Sequence, residues 1–282
     1  MTPTWHGENA SHFSARLSIF GWLRVARRGF FLILLVVVCF ILLLTIRLIE
    51  RPIFGLNRPI TPWITQFVCR NAFRILGISF RVHGELMCER GAVVANHSSW
   101  LDIFALNARN RIYFVSKSEV ASWFGIGWLA RATGTVFIDR DPQKARQQKA
   151  LFEMRLAANH KLLFFPEGTS TDGLRVLPFK TTLFAAFFSN NVQSDLFIQP
   201  TVINYFAPNG ASAHFYGWWS TMGFGEHLLK TLAQKKQGSI EVTYLPPIRV
   251  ADYSDRKALA KVLENMVRDT HLASGEKVQI GA

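Results

Sequence analysis

Cysteine is scarce in this chain, and acidic residues are outnumbered by basic ones. The 282 residues include only Cys39, Cys69 and Cys88. An odd number of widely spaced cysteines argues against a disulfide framework and against a zinc site, so we predict no metal. Nineteen Asp and Glu against 32 Lys and Arg give a formal charge of +13. This balance indicates an anionic partner, and the cysteine usage indicates a reducing compartment.

Nucleic acid is disfavoured as that anionic partner. The positive charge is accompanied by no zinc-finger spacing, no RNP pattern and no basic heptad array. A membrane surface is favoured, since 49% of the residues are hydrophobic and 24 are Phe and 8 Trp. Anionic head groups attract each nearby Lys or Arg by about 1 kcal/mol. We therefore predict membrane lipids as partners and no nucleic acid.

One long uncharged run, residues 29–46, is the candidate membrane segment. Its 18 residues form a helix of about 27 Å at 1.5 Å per residue, which is short for a bilayer core of about 30 Å. Positive charges on both flanks give no orientation signal: Arg24, Arg27 and Arg28 precede it, and Arg47, Arg51 and Arg58 follow it. A helix that spans the membrane and a helix that lies in its plane both stay open.

Three regions follow one another along the chain. Residues 1–11 are polar and are predicted to be a disordered tail. Residues 12–62 join an amphipathic stretch to the apolar run and are predicted to anchor the protein in the membrane. Pro52, Pro59 and Pro62 are expected to break the chain after this run. Residues 63–282 are predicted to form an α/β domain.

Apolar β-prone runs alternate with helical patterns in that domain. This alternation predicts the fold class α/β, with a largely parallel central sheet flanked by helices and an N-terminal membrane-inserted helical segment. Strands are predicted at residues 80–83, 92–95, 112–115, 135–138, 162–165, 197–205, 214–217 and 240–245. Helices are predicted at residues 100–109, 142–159, 179–189, 224–234 and 254–272.

The block NHSSWLD, residues 96–102, sets His97 and Asp102 five positions apart. On one regular helix this step rotates about 500° and separates the two side chains. A bend at Ser98 and Ser99, both good N-cap residues, would bring them together. Asp102 could then hold one imidazole nitrogen while the other accepts a proton. The alternative is that His97 caps the helix and Asp102 is a first-turn acid stabilised by the helix dipole.

A second block, FPEGT at residues 165–169, follows a predicted buried strand. Glu167 would then lie at the carboxyl end of the strand, where open α/β sheets bind their ligands. Pro166 stiffens the loop and Gly168 allows a close approach of the backbone. The alternative for Glu167 is a carboxylate at the start of a helix.

The two blocks and the order of the segment between them resemble the glycerolipid acyltransferase family over about residues 92–205. The resemblance implies an enzyme that moves an acyl group from a thioester to the hydroxyl of a lysophospholipid. The leading expectation is 1-acylglycerol 3-phosphate as acceptor and phosphatidic acid as product. It implies that His97 and Asp102 are catalytic and that Glu167, Gly168 and Thr169 bind the acceptor. No cofactor is expected, and the co-substrate is acyl-ACP or acyl-CoA.

Further positions resemble the family less specifically. Arg140, which ends GTVFIDR, is implied to bind a phosphate or head group, although it could simply pair with a neighbouring aspartate. Lys117 matches a family lysine and is implied to bind phosphate or the thioester carrier, or else is a solvated lysine. Residues 178–180 and 199–202 resemble two later family blocks.

One departure keeps the acceptor open. Ser170 and Thr171 stand where many family members have an arginine and a serine. The missing arginine leaves room for a different acceptor, a lyso-aminolipid such as lyso-ornithine lipid. An inactive lipid-binding protein is the alternative of another class, and the intact residues His97, Asp102 and Glu167 argue against it.

Two other motifs are rejected. GTSTDG at residues 168–173 is one residue too long for the G-x-S-x-G nucleophile elbow of serine hydrolases. GIGWLA at residues 125–130 fits a nucleotide-binding pattern, but Trp128 would crowd a pyrophosphate. We interpret it as an apolar turn.

Four aromatic residues in the C-terminal half are predicted to pack in the core: His214, Trp218, Trp219 and His227. The alternative is that they line the acceptor site. The expected location is the cell inner membrane, with the catalytic domain on the cytoplasmic face and acyl carrier protein as a candidate partner.

Overall fold

The computed structural model describes residues 5–7, 17–139, 145–188 and 195–280. The helices are α1 Ile19–Phe54, α2 Thr61–Leu76, α3 Leu101–Asn107, α4 Ile126–Thr133, α5 Ala145–Ala157, α6 Phe224–Ala233 and α7 Arg256–Ile280. The strands are β1 Ser79–His83, β2 Gly91–Ala95, β3 Ile112–Lys117, β4 Val136–Ile138, β5 Lys161–Phe164, β6 Phe197–Phe206, β7 Ser239–Tyr244 and β8 Ile248–Arg249.

These strands form one sheet in the order β1-β7-β6-β2-β5-β3-β4, and β8 pairs with the start of β6. All neighbours from β6 to β4 are parallel. Strand β7 runs antiparallel to β6, and β1 is parallel to β7. The predicted α/β fold with a largely parallel sheet is therefore confirmed.

Helices cover both faces of the sheet, because the central strands are apolar on both sides. In β2, Val93 and Ala95 point into one core with α2, α3 and α6, whereas Ala92 and Val94 point into the other with α5 and α7. The carboxyl ends of β2, β3 and β5 consequently lie at one edge of the sheet, where ligands bind in such folds.

Helix α1 joins the predicted amphipathic stretch and the apolar run into one continuous helix of 36 residues. Pro52 lies inside it, two residues before its end. The helix leaves most of its apolar side chains exposed and is long and apolar enough to cross a membrane. Residues 1–4 and 8–16, which hold most of the predicted disordered tail, lie outside the described part of the chain.

One predicted element was wrong in type. Residues 214–217 form turns instead of a strand, since the chain there is tied to a loop: the Trp218 amide donates to the Ser98 carbonyl. The helix predicted at residues 179–189 is present as a 3₁₀ helix, Thr181–Phe188. Three residues per turn place Phe184 and Phe187 on one face, and both are fully buried.

Other elements were not predicted. Helix α2 begins at Thr61 and holds Pro62 in its first turn, and the short strand β8 continues the line of β7. The apolar turn predicted at residues 125–130 is instead the start of helix α4, which begins after Gly125 in a positive-φ conformation. Phe124 beside it is 88% exposed, so this region keeps the apolar surface that the sequence indicated.

Candidate active site

His97 and Asp102 form a hydrogen-bonded pair at the carboxyl end of β2. The imidazole Nδ1 lies 2.7 Å from Asp102 Oδ2. Because a buried carboxylate accepts the bond, Nδ1 is the donor, and in the neutral imidazole Nε2 is the nitrogen that carries the lone pair. Asp102 is fully buried, whereas a fifth of the His97 side chain is exposed. The free ring nitrogen therefore belongs to a side chain that solvent and substrate can reach.

The predicted bend at Ser98 and Ser99 is present, but its cap differs from the prediction. Trp100 occupies the N-cap position of α3 and its side chain makes no capping bond. The side chain of Asp102 bonds the turn instead: its Oδ2 accepts from the amides of Ser98 at 2.8 Å and Ser99 at 3.0 Å. The same oxygen thus fixes the turn and orients the imidazole of His97.

Tyr205 completes the surroundings of Asp102. Its buried hydroxyl donates to Asp102 Oδ1 in a short hydrogen bond. Burial, followed by the nearby charge of Asp102, raises the pKa of Tyr205 well above its ordinary value, so the phenol stays a donor. Strand β6 reaches this point because it extends past the end of β2, whose last residue Ala95 pairs with Thr201. The sequence carries no local signal for this contact.

Side chains hold the backbone around His97 in place. Asn96 continues the β2–β6 pairing with its amide, which donates to the Ile203 carbonyl at 2.9 Å and accepts from the Ile203 amide at 2.8 Å. The His97 carbonyl accepts from the Thr171 amide at 2.9 Å. The imidazole also stacks on Phe165, with ring centroids 4.0 Å apart. The histidine is thereby fixed from several directions.

Glu167 joins the FPEGT loop to the His97 turn. Its Oε1 accepts from the His97 amide and its Oε2 from the Leu177 amide, each at 2.7 Å. The residue is only 2% exposed. Burial raises the pKa of Glu167 to about 8, although both backbone bonds act in the opposite direction. This geometry positions the backbone of His97, and the predicted role of Glu167 in acceptor binding stays a prediction.

Gly168 and Thr169 form the turn that follows Glu167. Gly168 has a φ of 71°, which favours glycine, and a Cβ there would lie 2.5 Å from Lys180 Nζ. Thr169 Oγ1 accepts from the amide of Trp5 at 3.5 Å. An ammonium group and a half-buried hydroxyl therefore stand beside the loop.

Two further residues, Lys117 and Arg140, were predicted to bind substrate. Lys117 is the last residue of β3, at the same edge of the sheet as His97 and Glu167. Arg140 lies outside the described residues, so its predicted role stays untested. Within the described ranges, no group of three or more His, Cys, Asp and Glu side chains is arranged to hold a metal ion.

Aromatic side chains surround the site. Trp218 lies in the turn that contacts Ser98, and Trp219 is buried with its ring 6.3 Å from that of Trp5. His227 is buried and accepts a hydrogen bond from Trp100 Nε1 at 2.9 Å. Burial lowers the pKa of His227 to about 3, so it stays neutral. His214 bonds Ser212 away from the pair.

An ion pair lies in the loop that follows FPEGT. Arg175 approaches Asp172 to 2.8 Å, and its side chain is 56% exposed while that of Asp172 is 7% exposed. The guanidinium also lies over the ring of Trp5, 5.2 Å from its centre. Because Trp5 contacts Thr169, this pair sits beside the turn that follows Glu167. Sequence reasoning did not identify Arg175.

This arrangement suits general base catalysis on a hydroxyl. The imidazole of His97 is held in one orientation by a buried carboxylate, and its second nitrogen is open. The fold places it at the ligand-binding edge of a parallel sheet, and the chain also carries the long apolar helix α1. These features define the class: a membrane-associated α/β enzyme with a His–Asp pair.

Comparison with known proteins identifies the family. A family model described as Acyltransferase matches residues 79–204. The lyso-ornithine lipid O-acyltransferase of Rhodobacter capsulatus is 56% identical over 245 residues, which are 87% of this chain and 89% of that protein. The 1-acyl-sn-glycerol-3-phosphate acyltransferase of Neisseria gonorrhoeae is 31% identical over 178 residues, 62% of this chain and 67% of that protein.

A solved structure shares the fold. The crystal structure of the 1-acyl-sn-glycerophosphate acyltransferase PlsC from Thermotoga maritima aligns with a TM-score of 0.57 at 19% identity, covering 88% of this chain and 98% of that chain. The chain belongs to the acyltransferase family, and it is a membrane-associated lipid acyltransferase. The resemblance read from the two sequence blocks is confirmed.

Proposed function

We propose that the protein is a lyso-ornithine lipid O-acyltransferase, which transfers an acyl chain from a thioester to the hydroxyl of lyso-ornithine lipid. The observation that carries this is the 56% identity, over 87% of the chain, to a protein of that name. The first expectation, 1-acylglycerol 3-phosphate, is supported by relatives of lower identity and coverage. The relatives thus favour the alternative acceptor over the leading one.

In the proposed reaction, His97 Nε2 removes the proton of the acceptor hydroxyl. The oxygen attacks the thioester carbonyl carbon, a new C–O bond forms and the C–S bond breaks. The departing thiolate takes the proton back from the imidazolium, so the products are an ester and a thiol. Asp102 stabilises the imidazolium while it exists. No covalent intermediate on the enzyme is needed, and the donor is acyl-ACP or acyl-CoA.

The head group of the proposed acceptor fits the ion pair beside the site. Ornithine bears a carboxylate and an ammonium, so its lipid needs recognition of both charges. Ser170 supplies no cation, but Arg175 supplies a half-exposed guanidinium and Asp172 a carboxylate within the same loop. We assign Arg175 to the carboxylate and Asp172 to the ammonium of the acceptor, because guanidinium binds carboxylates in a planar, bidentate manner.

The anchoring of α1 supports insertion in the membrane plane. Near its start, Arg24 and Arg28 donate to carbonyls at the end of α6, at 2.6–2.9 Å. Near its end, Glu50 accepts from Thr61 at the start of α2. From Arg28 to Glu50 the helix rises about 33 Å, more than a bilayer core of about 30 Å. One domain on one side of a membrane cannot hold both ends of a spanning helix. The inner membrane and its cytoplasmic face remain part of the proposal.

The test is an assay of purified protein in detergent with labelled acyl thioester and two acceptors, lyso-ornithine lipid and 1-acylglycerol 3-phosphate. We expect product from lyso-ornithine lipid, and none when His97→Ala replaces the wild type. Product from 1-acylglycerol 3-phosphate alone would contradict this proposal and support the first expectation for the acceptor. Absence of product with both acceptors and both carriers would favour the inactive lipid-binding alternative.

A further inference from the structure

A cavity of about 640 Å³ opens at the opposite edge of the sheet from His97. It lies between the loop that joins α1 to α2 and the amino ends of β3 and β5. Its charged lining consists of Arg58, Arg109, Arg111 and Lys161. Among the described residues that line the cavity, none is an Asp or a Glu. The cavity therefore collects positive charge without a carboxylate in its wall.

Nearby carboxylates do not neutralise this charge. Glu50 attracts Arg58, but its oxygens already accept from Arg47 at 3.1 Å and from Thr61 at 2.6 Å. The ammonium of Lys161 is held by backbone carbonyls, including that of Cys88 at 3.0 Å, with the exposed Glu89 acting on it from outside the lining. Lys161 is thus held mainly by neutral backbone oxygens, and the carboxylate that acts on Arg58 is already bonded to other groups.

Burial and the nearby positive charges lower the pKa values of two groups at the inner wall of the cavity. Burial, and then the charges of Arg155 and Arg58, lower the pKa of His160 to about 4. Burial lowers the pKa of Arg155 to about 10, and Arg58 acts in the same direction. His160 is 5% exposed, and its Nδ1 has no hydrogen-bond partner within the described ranges. A neutral imidazole there has an unused site that can donate to an anionic oxygen.

The rim of the cavity is apolar and continuous with the exposed apolar side chains of α1 and α2. Phe54 at the end of α1 is 47% exposed, and Trp63 at the start of α2 is 54% exposed. The guanidinium of Arg111 lies 4.4 Å from the centre of the Trp63 ring. Cations inside and aromatic rings outside match a ligand that has an anionic head and an apolar body.

We propose that this cavity binds the phosphate group of an anionic membrane phospholipid, with its acyl chains against Phe54 and Trp63. Arg109 and Arg111 would contact the phosphate from the exposed side, and Arg58 and His160 from the buried side. This site is separate from the acceptor site, because it lies at the other edge of the sheet. A bound lipid there would hold α1 and α2 on the domain at the membrane surface.

The test uses the full chain in nanodiscs of phosphatidylcholine with and without phosphatidylglycerol, with bound lipid counted by native mass spectrometry. We expect one retained phosphatidylglycerol per chain, and retention weaker by about tenfold or more in R109Q/R111Q, which removes two exposed cations. The matched control is K235Q/K236Q, which removes two exposed positive charges near α1 but outside the cavity. It should retain the lipid as the wild type does.

Three outcomes would overturn the proposal. Equal retention in the wild type and R109Q/R111Q would show that the cavity does not hold the lipid. Equal losses in both double variants would assign binding to general surface charge. Inorganic phosphate that protects the protein against thermal unfolding as well as phosphatidylglycerol does, and displaces it, would make a free anion the ligand. Acyl transfer in pure phosphatidylcholine verifies that the variants fold.

Discussion

Tyr205 donates its buried hydroxyl to Oδ1 of Asp102, on the other oxygen from the one that holds His97. The two bonds fix the carboxylate plane, and with it the direction of the imidazole. Because Tyr205 comes from β6 and Asp102 from α3, the bond also ties the helix that follows the base to the central sheet. We expect Tyr205 to be a positioning residue, since it would act on the proposed reaction through Asp102.

Replacing Tyr205 with phenylalanine should lower kcat about tenfold with little change in KM for the acceptor, because the base is misoriented while binding is intact. The matched control is Tyr216→Phe, which removes a buried hydroxyl that bonds Gln237 at 2.7 Å. Steady-state kinetics in detergent, with thermal unfolding of each variant, separate the two effects. Equal losses of kcat in both variants would mean that Tyr205 contributes only to the stability of the fold and does not orient the base.

The pH dependence of stability should report on Glu167. Its pKa is raised from 4.5 to about 8 by burial, so the folded state binds a proton that the unfolded state has lost. The stability of the wild type relative to Glu167→Gln should fall between pH 4.5 and about 8, by a few kcal/mol in all, and stay constant above it. Unfolding of both proteins across this range measures the difference.

Glu264→Gln is the control, because its effect on stability should depend on pH in the opposite direction. Burial alone would raise the pKa of Glu264, but bonds from Phe179 and Arg268 hold it below 4.5. Its contribution to stability should be present above pH 4.5 and be lost as the pH falls further. A Glu167→Gln difference that does not vary with pH would mean that the buried carboxylate is ionised throughout.

Arg175 tests the assignment of the acceptor head group. Arg175→Gln should raise KM for lyso-ornithine lipid about tenfold and leave kcat nearly unchanged, since the charge binds the head group away from the reacting hydroxyl. Arg81→Gln is a matched control, because Arg81 also forms a surface ion pair, at 3.4 Å with Glu241, but on the edge strand β1. An unchanged KM in Arg175→Gln would remove this residue from acceptor recognition.

The sequence predicted the contact between His97 and Asp102 because its geometry is local. His97 and Asp102 are separated by one bend, and the strand before them is a short apolar run whose type can be predicted. The same holds for the loop around Glu167. The alternation of strands and helices predicted a parallel sheet but not that β2 and β5 are neighbours in it, so the contact between the two blocks was not predicted.

Contacts between distant elements could not be predicted in this way. Tyr205 reaches Asp102 only because β6 pairs with β2 in one register and runs beyond its end. Glu167 faces a backbone amide that no pattern marks. Residues 214–217 were predicted to be a strand, but the amides of Phe215 and Gly217 donate to nearby carbonyls within turns, and the Trp218 amide donates to Ser98. In these segments the structure is determined by tertiary hydrogen bonds and not by the secondary-structure propensity of the residues.

The placement of α1 gives the last prediction. If Arg28 and Glu50 both stay bound to the domain, the two ends of the helix face the same side of the membrane. In a Cys88→Ser background, cysteines placed at the exposed positions Arg27 and Asn57 should both react with a membrane-impermeant thiol reagent from the side of the catalytic domain, since Cys39 and Cys69 are buried. A spanning helix would place one of the two on the opposite side. Labelling of sealed vesicles of both orientations distinguishes these arrangements, and reaction from opposite sides would require the bonds at one end of α1 to be broken in the membrane.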